Sequence, residues 1–268
     1  FFLIKGEVIP LSFIKELKKL LPTCKFIYYT WDSFENNRNI SSILPFFDKK
    51  ITFDHEDALK YDLKFRPLFF TDKYRSLPQS NFSKFKYHLL FIGTAHSDRY
   101  KIGKIIDKWC NKNNFKFFAY YFLQSKMVYL IKSLFDKSFK NIKYSVLKFK
   151  PLNISEVLSL YEKSNIILDI NHPKQRGLTM RVFETLAASR KLITTNIHVK
   201  KYPFYNEQNI FIIDRKSINL DKNFFNSPFK KIDDKLLFEM SIAGWLTFIF
   251  DDANSNYWRK NLNHNILS

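Results

Sequence analysis

Cysteine is scarce in this 268-residue sequence, which contains only Cys24 and Cys110. The two cysteines lie in unrelated segments and lack the close spacing of metal-binding pairs. A disulfide-stapled scaffold and a zinc ribbon are therefore not expected, and the composition fits a reducing cytoplasm.

Several sequence motifs that mark large enzyme classes are also missing. The chain contains no GxxxxGK[ST] phosphate loop, no HExxH zinc helix and no GxSxG nucleophile elbow. No secretory signal is recognisable, and no uncharged apolar run reaches the roughly 18 to 20 residues that a membrane-spanning helix needs. We therefore expect a soluble protein that uses none of these three catalytic motifs.

Acidic residues are under-represented: 25 Asp and Glu stand against 44 Lys and Arg, which gives a net charge of +19. Such an excess predicts a polyanionic partner, an anionic membrane surface or anionic substrates. The basic residues are scattered singly and in pairs, so an ordinary solvated surface accounts for most of them. The abundance of Lys, Asn, Ile and Phe is also typical of an AT-rich genome.

The sequence is otherwise rich in apolar segments that alternate between strand and helix patterns, and this alternation predicts an α/β fold with parallel sheets. In the first 75 residues, strands are predicted at 1–9, 25–32, 49–54 and 65–70. A polar segment near Pro78 reads as a linker. A second domain then opens with a strand that ends at Gly93 and a helix that Ser97 caps and Arg99 begins.

The most informative stretch runs from 165 to 196, NIILDINHPKQRGLTMRVFETLAASRKLITTN. A continuous apolar strand is followed by a polar loop with His172, Lys174, Gln175 and Arg176, and then by a helix predicted from Leu178. Gly177 and Thr179 lie where this helix begins. Helix N-termini bind anions, and ligands of open α/β sheets lie beyond the carboxyl ends of the strands, so the stretch predicts a ligand site.

The predicted helix of this stretch is almost wholly apolar and carries only two charges, Arg181 and Glu184. Their spacing of three places them on one helix face. A local ion pair covering a core helix is one interpretation. The other is that charges between two buried strands serve a phosphate or a sugar hydroxyl.

The segment GLTMRVFETLAASRKLITT resembles the C-terminal nucleotide-sugar domain of GT-B glycosyltransferases, especially bacterial surface-polysaccharide enzymes and CgeB-like proteins. The resemblance implies that Glu184 holds the ribose of the nucleotide. Two positions depart from the family: Arg176 stands where many relatives have an acidic residue near the donor sugar, and Ser189 stands where glycine is common. The first departure weakens the expectation of a retaining mechanism.

The resemblance implies two Rossmann-like parallel-sheet domains. We expect a partial N-terminal acceptor domain at 1–75, a linker at 76–86, the nucleotide-sugar domain at 87–250 and a C-terminal helix at 251–268 that braces the first domain. Helices are predicted at 230–250 and 254–262. Because Phe1 lies in what reads as a running strand, the first domain is expected to be incomplete.

The resemblance also implies a donor site that neutralises a diphosphate with helix dipoles and basic side chains, without a metal or other cofactor. The predicted nucleotide-sugar-binding residues are Gly93, Arg99, Gln175, Arg176, Gly177, Leu178, Thr179, Arg181 and Glu184.

His172 is a candidate for proton transfer, although a lone loop histidine is commonly a polar cap. Asp32 is a candidate general base, with a turn cap as the alternative. The segment Asp54–Asp57 imitates a metal site but reads as a strand end with a helix cap.

These observations favour a glycosyltransferase that moves a sugar from a nucleotide-sugar donor to a saccharide or lipid-linked acceptor in surface polysaccharide assembly. It is expected in the cytoplasm, with peripheral contact to the inner face of an anionic membrane. A non-catalytic remnant of the same fold is the alternative. A basic nucleic-acid-binding protein is a distant third, and nucleic acid is not expected as a partner.

Overall fold

The computed structural model describes residues 1–34, 40–78, 85–136, 139, 142–251 and 256–263. Its strands form two sheets, and every strand pair in them is parallel. Helices connect successive strands, as parallel pairing requires. The predicted α/β class with two parallel sheets is confirmed.

The first sheet has four strands in the order β1-β2-β3-β4. Its strands are β1 (Phe2–Ile4), β2 (Ile27–Thr30), β3 (Lys49–Thr52) and β4 (Lys64–Phe65). Helices α1 (Leu11–Leu20), α2 (Ile40–Ile43) and α3 (His55–Lys60) connect them, and α4 (Asp72–Arg75) follows. All four residues of β2 are buried, which fits its central position.

Two strands of the first sheet are shorter than the sequence pattern predicts. The strand predicted at 1–9 ends at Ile4, because Lys5 and Gly6 adopt positive φ angles of 67° and 68° and turn the chain away. The strand predicted at 65–70 pairs with β3 only at Lys64–Phe65, and Pro67 has no amide with which to extend that ladder. The apolar pattern alone therefore predicted both strands to be longer than they are.

The second sheet has six strands in the order β10-β9-β8-β5-β6-β7. They are β5 (Tyr87–Thr94), β6 (Phe117–Phe122), β7 (Leu147–Lys148), β8 (Ser164–Asp169), β9 (Lys191–Thr194) and β10 (Ile210–Ile212). Counted from β5, this is the doubly wound Rossmann order 3-2-1-4-5-6, which reverses between β5 and β8. Ligands of such sheets bind at the carboxyl ends of the two strands at the reversal.

The helices around the second sheet are α5 (Arg99–Lys112), α6 (Lys126–Phe135), α7 (Ile154–Glu162) and α8 (Met180–Ala187). The prediction that Ser97 caps α5 is wrong: Asp98 is the N-cap, and Ser97 has a left-handed φ of 52°. Helix α8 begins at Met180, two residues after its predicted start. Beyond its end, Ser189 has a φ of 53°, a backbone conformation that glycine adopts most easily.

The predicted helix at 230–250 is two helices, α10 (Asp234–Met240) and α11 (Ile242–Phe250), which follow α9 (Lys222–Asn226). Ser241 separates them because it is extended and forms a parallel bridge with Phe70 of the first unit. The Ser241 hydroxyl then caps α11 by accepting the amide of Gly244 at 3.1 Å. A Cβ on Gly244 would lie 2.3 Å from the carbonyl oxygen of Phe238, so this tight junction requires glycine.

Helix α11 packs on the first sheet, so the C-terminal part of the chain crosses back. The Trp245 ring lies 5.0 Å from that of Tyr29 and 4.9 Å from that of Phe69. The buried Lys49 ammonium donates to the carbonyl of Phe248 at 2.6 Å. The last described helix, α12 (Tyr257–Asn261), buries Trp258 within the same core.

One hydrophobic core is shared by the two sheets. It joins β2 and β3 of the first unit with α8, α11 and α12, and its members include Tyr29, Phe53, Phe183, Trp245 and Trp258. A second core lies between the other face of the large sheet and α5, and a third lies beneath α1. No helix among the described residues is long and apolar enough to cross a bilayer.

Candidate functional site

Asp169 is the last residue of β8 and is only 3% exposed. Its carboxylate accepts hydrogen bonds from the hydroxyls of Thr179 at 2.9 Å and Thr194 at 3.1 Å. Thr179 is the N-cap of α8; its hydroxyl donates to Asp169, and its side chain caps no amide of the helix. Its backbone carbonyl accepts the amide of Val182 at 3.2 Å, so the first turn of α8 lacks only the side-chain acceptor.

Arg99 joins the ends of the two strands at the reversal point. Its Nε donates to the carbonyl of Ile170 after β8 at 2.8 Å, and its Nη1 donates to the carbonyl of Thr94 in β5 at 3.2 Å. Burial lowers the pKa of Arg99 to about 10 against the opposing effect of Asp169, so the guanidinium stays charged at neutral pH. These two contacts use two of its five N–H donors.

Arg215, which follows β10, links three loops at the same edge of the sheet. Its Nη1 donates to both carboxylate oxygens of Asp98, at 2.8 and 2.9 Å. Its Nη2 donates to the side-chain oxygen of Asn171 at 2.7 Å and to the hydroxyl of Thr195 at 3.0 Å. The loops after β5, β8 and β9 are thus held by one guanidinium.

Arg181 and Glu184 lie on the partly buried face of α8. Burial raises the pKa of Glu184, although Arg181 and a hydrogen bond with Tyr74 oppose the shift. For Arg181 burial acts to lower the pKa, but Tyr161, Glu184 and Asp169 outweigh it and the pKa is raised. The two charges predicted on one face therefore interact with each other and with the carboxylate at the end of β8.

Arg99, Arg181 and Arg215 form a group that we call the arginine cluster. Arg99 interacts electrostatically with both other arginines, as well as with Asp169 and Asp98. Asp169 and Asp98 offset part of the positive charge of the three guanidinium groups, and Glu184, which interacts with Arg181, offsets more of it. The position of the cluster at the reversal point is where doubly wound sheets bind their ligands.

The loop after β8 is held by its own amide side chains. Asn171 donates to the carbonyl of Gln175 at 2.8 Å, and the side chain of Gln175 donates to the carbonyl of Gly177 at 3.1 Å. Asn196, after β9, donates to the carbonyl of Arg176 at 3.0 Å. The Gln175 side chain, predicted to bind the donor, is therefore turned into its own loop.

Arg176 reaches across to the first unit. Its guanidinium forms ion pairs with Glu56 at 3.0 Å, Asp57 at 3.4 Å and Asp54 at 3.5 Å. Its predicted contact with phosphate stays a prediction, and the contacts present here join the two units.

The acidic partners of Arg176 lie at the start of α3. Asp54 is the N-cap of this helix and accepts the amides of Glu56 at 2.9 Å and Asp57 at 3.3 Å. The interpretation of this segment as a strand end with a helix cap is confirmed.

Gly177 and Leu178 are buried at the boundary between the two units. A Cβ on Gly177 would lie 2.4 Å from the ring of Phe53, so this glycine permits close contact between the units. Leu178 is 1% exposed and belongs to the shared core. Gly93 lies within β5, where a Cβ would meet the Phe91 ring at 2.8 Å.

The two candidate catalytic residues lie on different sheets. His172 is exposed in the loop after β8, and its ring centroid lies 6.1 Å from that of His96 in the loop after β5. Asp32 follows β2 and forms an ion pair of 3.5 Å with Lys5 after β1. No contact between His172 and Asp32 is present among the described residues, so their catalytic roles stay predictions.

No protein-family model matches the chain, and no curated protein sequence matches it significantly. Solved structures with a similar fold include the following two. A glycosylation-associated protein (Gap123) complex from Streptococcus agalactiae is 14% identical over 93% of this chain and 53% of that chain, with a TM-score of 0.51. An α-glucosyltransferase solved with UDP and a 13-mer DNA containing an A:G mismatch is 16% identical over 97% of this chain and 73% of that one, with a TM-score of 0.50.

The chain has the GT-B fold. It spans about half the length of the Gap123 chain. At these identities the likeness establishes the fold alone, and the function has to be argued from the site.

Within this GT-B fold, the sequence located the correct strand ends but missed three polar side chains. Asp169 was not predicted because the rest of its strand is apolar. A charged residue within a buried apolar strand nevertheless indicates a functional position. Arg215 follows the apolar strand at 210–212, and its place after a parallel strand could have indicated the same edge. His96 lies in the loop after the first strand of the second sheet, between Gly93 and Arg99, which were both predicted.

Proposed function

We propose that the chain is a glycosyltransferase that binds a nucleotide-sugar donor at the arginine cluster and transfers the sugar to a saccharide or lipid-linked acceptor. The observation that carries the proposal is the grouping of Arg99, Arg181 and Arg215 at the carboxyl ends of β5 and β8. A diphosphate is the ligand that three neighbouring guanidinium groups fit best, because each offers several N–H donors to phosphate oxygens.

The roles within the donor site follow from geometry and charge. Arg99 has N–H donors beyond its two carbonyl contacts, and with Arg181 it would bind the diphosphate. The first turn of α8, which has no side-chain cap, would add backbone amides to the same anion. Arg215 acts as a positioning residue because its described hydrogen bonds hold the surrounding loops. Glu184 would accept hydrogen bonds from the ribose hydroxyls.

The proposed reaction breaks the bond between the anomeric carbon of the sugar and the diphosphate oxygen. The electron pair leaves with the diphosphate, whose growing negative charge the arginines stabilise. A hydroxyl oxygen of the acceptor forms the new bond to the anomeric carbon, and its proton passes to a base. His172 and Asp32 are the proposed candidates for that base.

Calorimetric titration of the 268-residue chain with nucleoside diphosphates of different bases tests donor binding. We expect one of them to bind, and we expect Arg181→Gln and Glu184→Gln each to weaken binding at least tenfold. Arg75→Gln is the matched control, because Arg75 pairs with Asp234 on the surface at 3.0 Å. Absence of binding by the folded chain, or equal affinities in all variants, would refute the proposal.

The alternative function is a GT-B protein that binds a nucleotide sugar without transferring it. Two observations favour it: Arg176 replaces an acidic residue of the family and is engaged by three carboxylates, and His172 and Asp32 lie on separate sheets. Release of nucleoside diphosphate from a nucleotide sugar, dependent on acceptor, would exclude this alternative.

A nucleic-acid acceptor is a further candidate, because the α-glucosyltransferase of similar fold was solved with DNA and this chain carries a net charge of +19. Binding through phosphate contacts weakens steeply with salt. DNA affinity that is weak and insensitive to salt would exclude it.

Peripheral contact with an anionic membrane has a candidate surface on α6. Five apolar side chains of this helix are 52% to 84% exposed: Met127, Leu130, Ile131, Leu134 and Phe135. The helix contains Lys126 and Lys132 and no acidic residue. An apolar helix face with lysines suits the headgroup region of an anionic bilayer. A lipid-linked acceptor would be reached from such a surface.

A further inference from the structure

Three side chains that can bind a metal ion converge at the boundary between the two sheets. His55 and Glu56 begin α3 after β3, and His198 belongs to the 3₁₀ helix Ile197–Lys201 after β9. Glu56 Oε1 lies 3.7 Å from His55 Nε2 and 3.9 Å from His198 Nδ1. One donor atom from each residue lies within 4.8 Å of the other two.

No hydrogen bond joins these three side chains to one another in the described part of the chain. Both distances to Glu56 are too long for hydrogen bonds. The Nδ1 atom of His198 is buried and has no hydrogen-bond partner among the described residues. His55 is only 2% exposed, and its own Nδ1 is also without a partner there. His198 Nδ1 and Glu56 Oε1 are electron-rich atoms that face each other without a shared proton, an arrangement that a cation stabilises.

The spacing and chemistry of the three groups suit a zinc-like ion. Ligands bound tetrahedrally at about 2.0 to 2.1 Å from zinc lie roughly 3.4 Å apart, so a small inward movement would complete the shell. Two imidazoles and one carboxylate form a common zinc ligand set, with the fourth position left to water. Asp54 and Asp57 lie close by and offset the charge of the neighbouring Arg176.

In the part of the chain that the structure describes, two positive charges contact the three groups: the guanidinium of Arg176 lies 3.0 Å from Glu56 Oε2, and the ammonium of Lys201 lies 3.1 Å from His55 Nε2. Of these two, Lys201 contacts an atom that a metal ion would use. Lys201 and a divalent ion would therefore compete for His55. Loss of the Lys201 ammonium should therefore change the metal affinity, which would not be expected if His55 had only a structural role.

We propose that His55 Nε2, Glu56 Oε1 and His198 Nδ1 bind one divalent ion of the zinc type, which displaces the Lys201 ammonium and joins the two units of the fold. Because the ligands come from both units, the bound ion would restrain their relative movement. The proposal is independent of donor binding at the arginine cluster.

The test uses the untagged 268-residue chain, stripped with chelator and titrated with Zn²⁺ alone. We expect one ion per chain and a rise in the thermal unfolding midpoint on its binding. His198→Ala and Glu56→Gln should each weaken zinc affinity at least tenfold and abolish the thermal shift. Lys201→Met should strengthen affinity, because it removes the competing ammonium.

His88→Gln serves as the control, since His88 lies at the start of β5 and accepts the amide of Lys116. It should leave zinc binding unchanged. Binding of no ion by the folded chain would overturn the proposal. So would an affinity unaffected by His198→Ala, or one weakened by Lys201→Met. Circular dichroism of each variant separates loss of the site from loss of the fold.

Discussion

Gly177 packs directly on the ring of Phe53, and this contact sets how closely the two units of the chain approach. A Cβ on Gly177 would lie 2.4 Å from Phe53 Cε2 and 2.7 Å from Cδ2. Both residues are buried, and Phe53 is part of the shared core. Glycine is therefore required here by packing against the other unit.

Gly177→Ala is expected to destabilise the chain by about 1 to 3 kcal/mol, because the added methyl overpacks this contact. Urea unfolding measures the change. Pro173→Ala, at an exposed position of the same loop, is the matched control and should have little effect. Combined with Phe53→Leu, the alanine should cost less than it does alone, because the smaller side chain makes room. Additive effects in the double variant would contradict the packing argument.

The pair formed by Arg215 and Asp98 is expected to position the donor site. Arg215→Lys cannot keep both 2.8–2.9 Å contacts to the carboxylate and the bonds to Asn171 and Thr195. We expect nucleoside diphosphate affinity to fall roughly tenfold, as loss of a charge-assisted hydrogen bond of about 1.4 kcal/mol would produce. Asp98→Asn should have a similar effect, and the double variant should be little worse than either. Full additivity would show that the residues act separately.

Sequence patterns predicted the elements of the second sheet well because strands buried on both faces must be apolar. The run at 165–170 and the strand at 191–194 were recognisable on that ground. The break at Ser241 was not recognisable, because it depends on a bridge with Phe70, which is 171 residues away in the sequence. Long-range pairing of this kind leaves no local signal.

The sequence predicted which edge of the sheet carries the candidate site, but it did not predict all of the contacts within the site. Arg99, Thr179, Arg181 and Glu184 lie at the edge the sequence indicated, because strand ends and helix starts can be read locally. The partners of Arg176 could not be read, since they come from the other unit of the fold. His198 was likewise missed as a neighbour of His55, because the two are brought together only by the packing of the units.

Glu184→Gln is expected to stabilise the chain at neutral pH while it weakens donor binding. Burial raises the pKa of Glu184, so the folded state binds a proton more tightly than the unfolded state does. The stability linked to this group is full below its ordinary pKa and is lost as pH rises through the raised value. The glutamine variant should therefore lose less stability between acidic and neutral pH. Urea unfolding at several pH values measures this, and a variant that is less stable at pH 7 would contradict it.

The exposed face of α6 is expected to bind anionic vesicles. Leu130→Ser combined with Leu134→Ser removes two exposed apolar side chains of this face, 61% and 73% exposed, and should reduce co-sedimentation with phosphatidylglycerol vesicles several-fold. Leu20→Ser combined with Leu59→Ser removes side chains of similar exposure elsewhere and is the control. Equal loss in both variants would indicate unspecific adhesion. Binding to neutral phosphatidylcholine vesicles should be weak throughout, because the lysines then lack a partner.

His96 is expected to take up a proton when a nucleotide sugar binds. Burial lowers the pKa of His96 to about 4, with Arg99 adding to the shift, so the free chain keeps this imidazole neutral. The unfolded chain becomes protonated near pH 6.5, so the stability linked to His96 is lost as pH falls from about 6.5 to 4. A diphosphate at the neighbouring Arg99 would favour the charged imidazole and raise its pKa. Donor affinity should therefore increase as pH is lowered through this window, and calorimetry at pH 5.5 in buffers of different ionisation enthalpy should report proton uptake. A nucleotide sugar is the right ligand because its diphosphate, esterified at both ends, does not itself titrate there. His96→Gln should abolish the uptake and His172→Gln should retain it, whereas equal uptake by both variants would place the proton on another group.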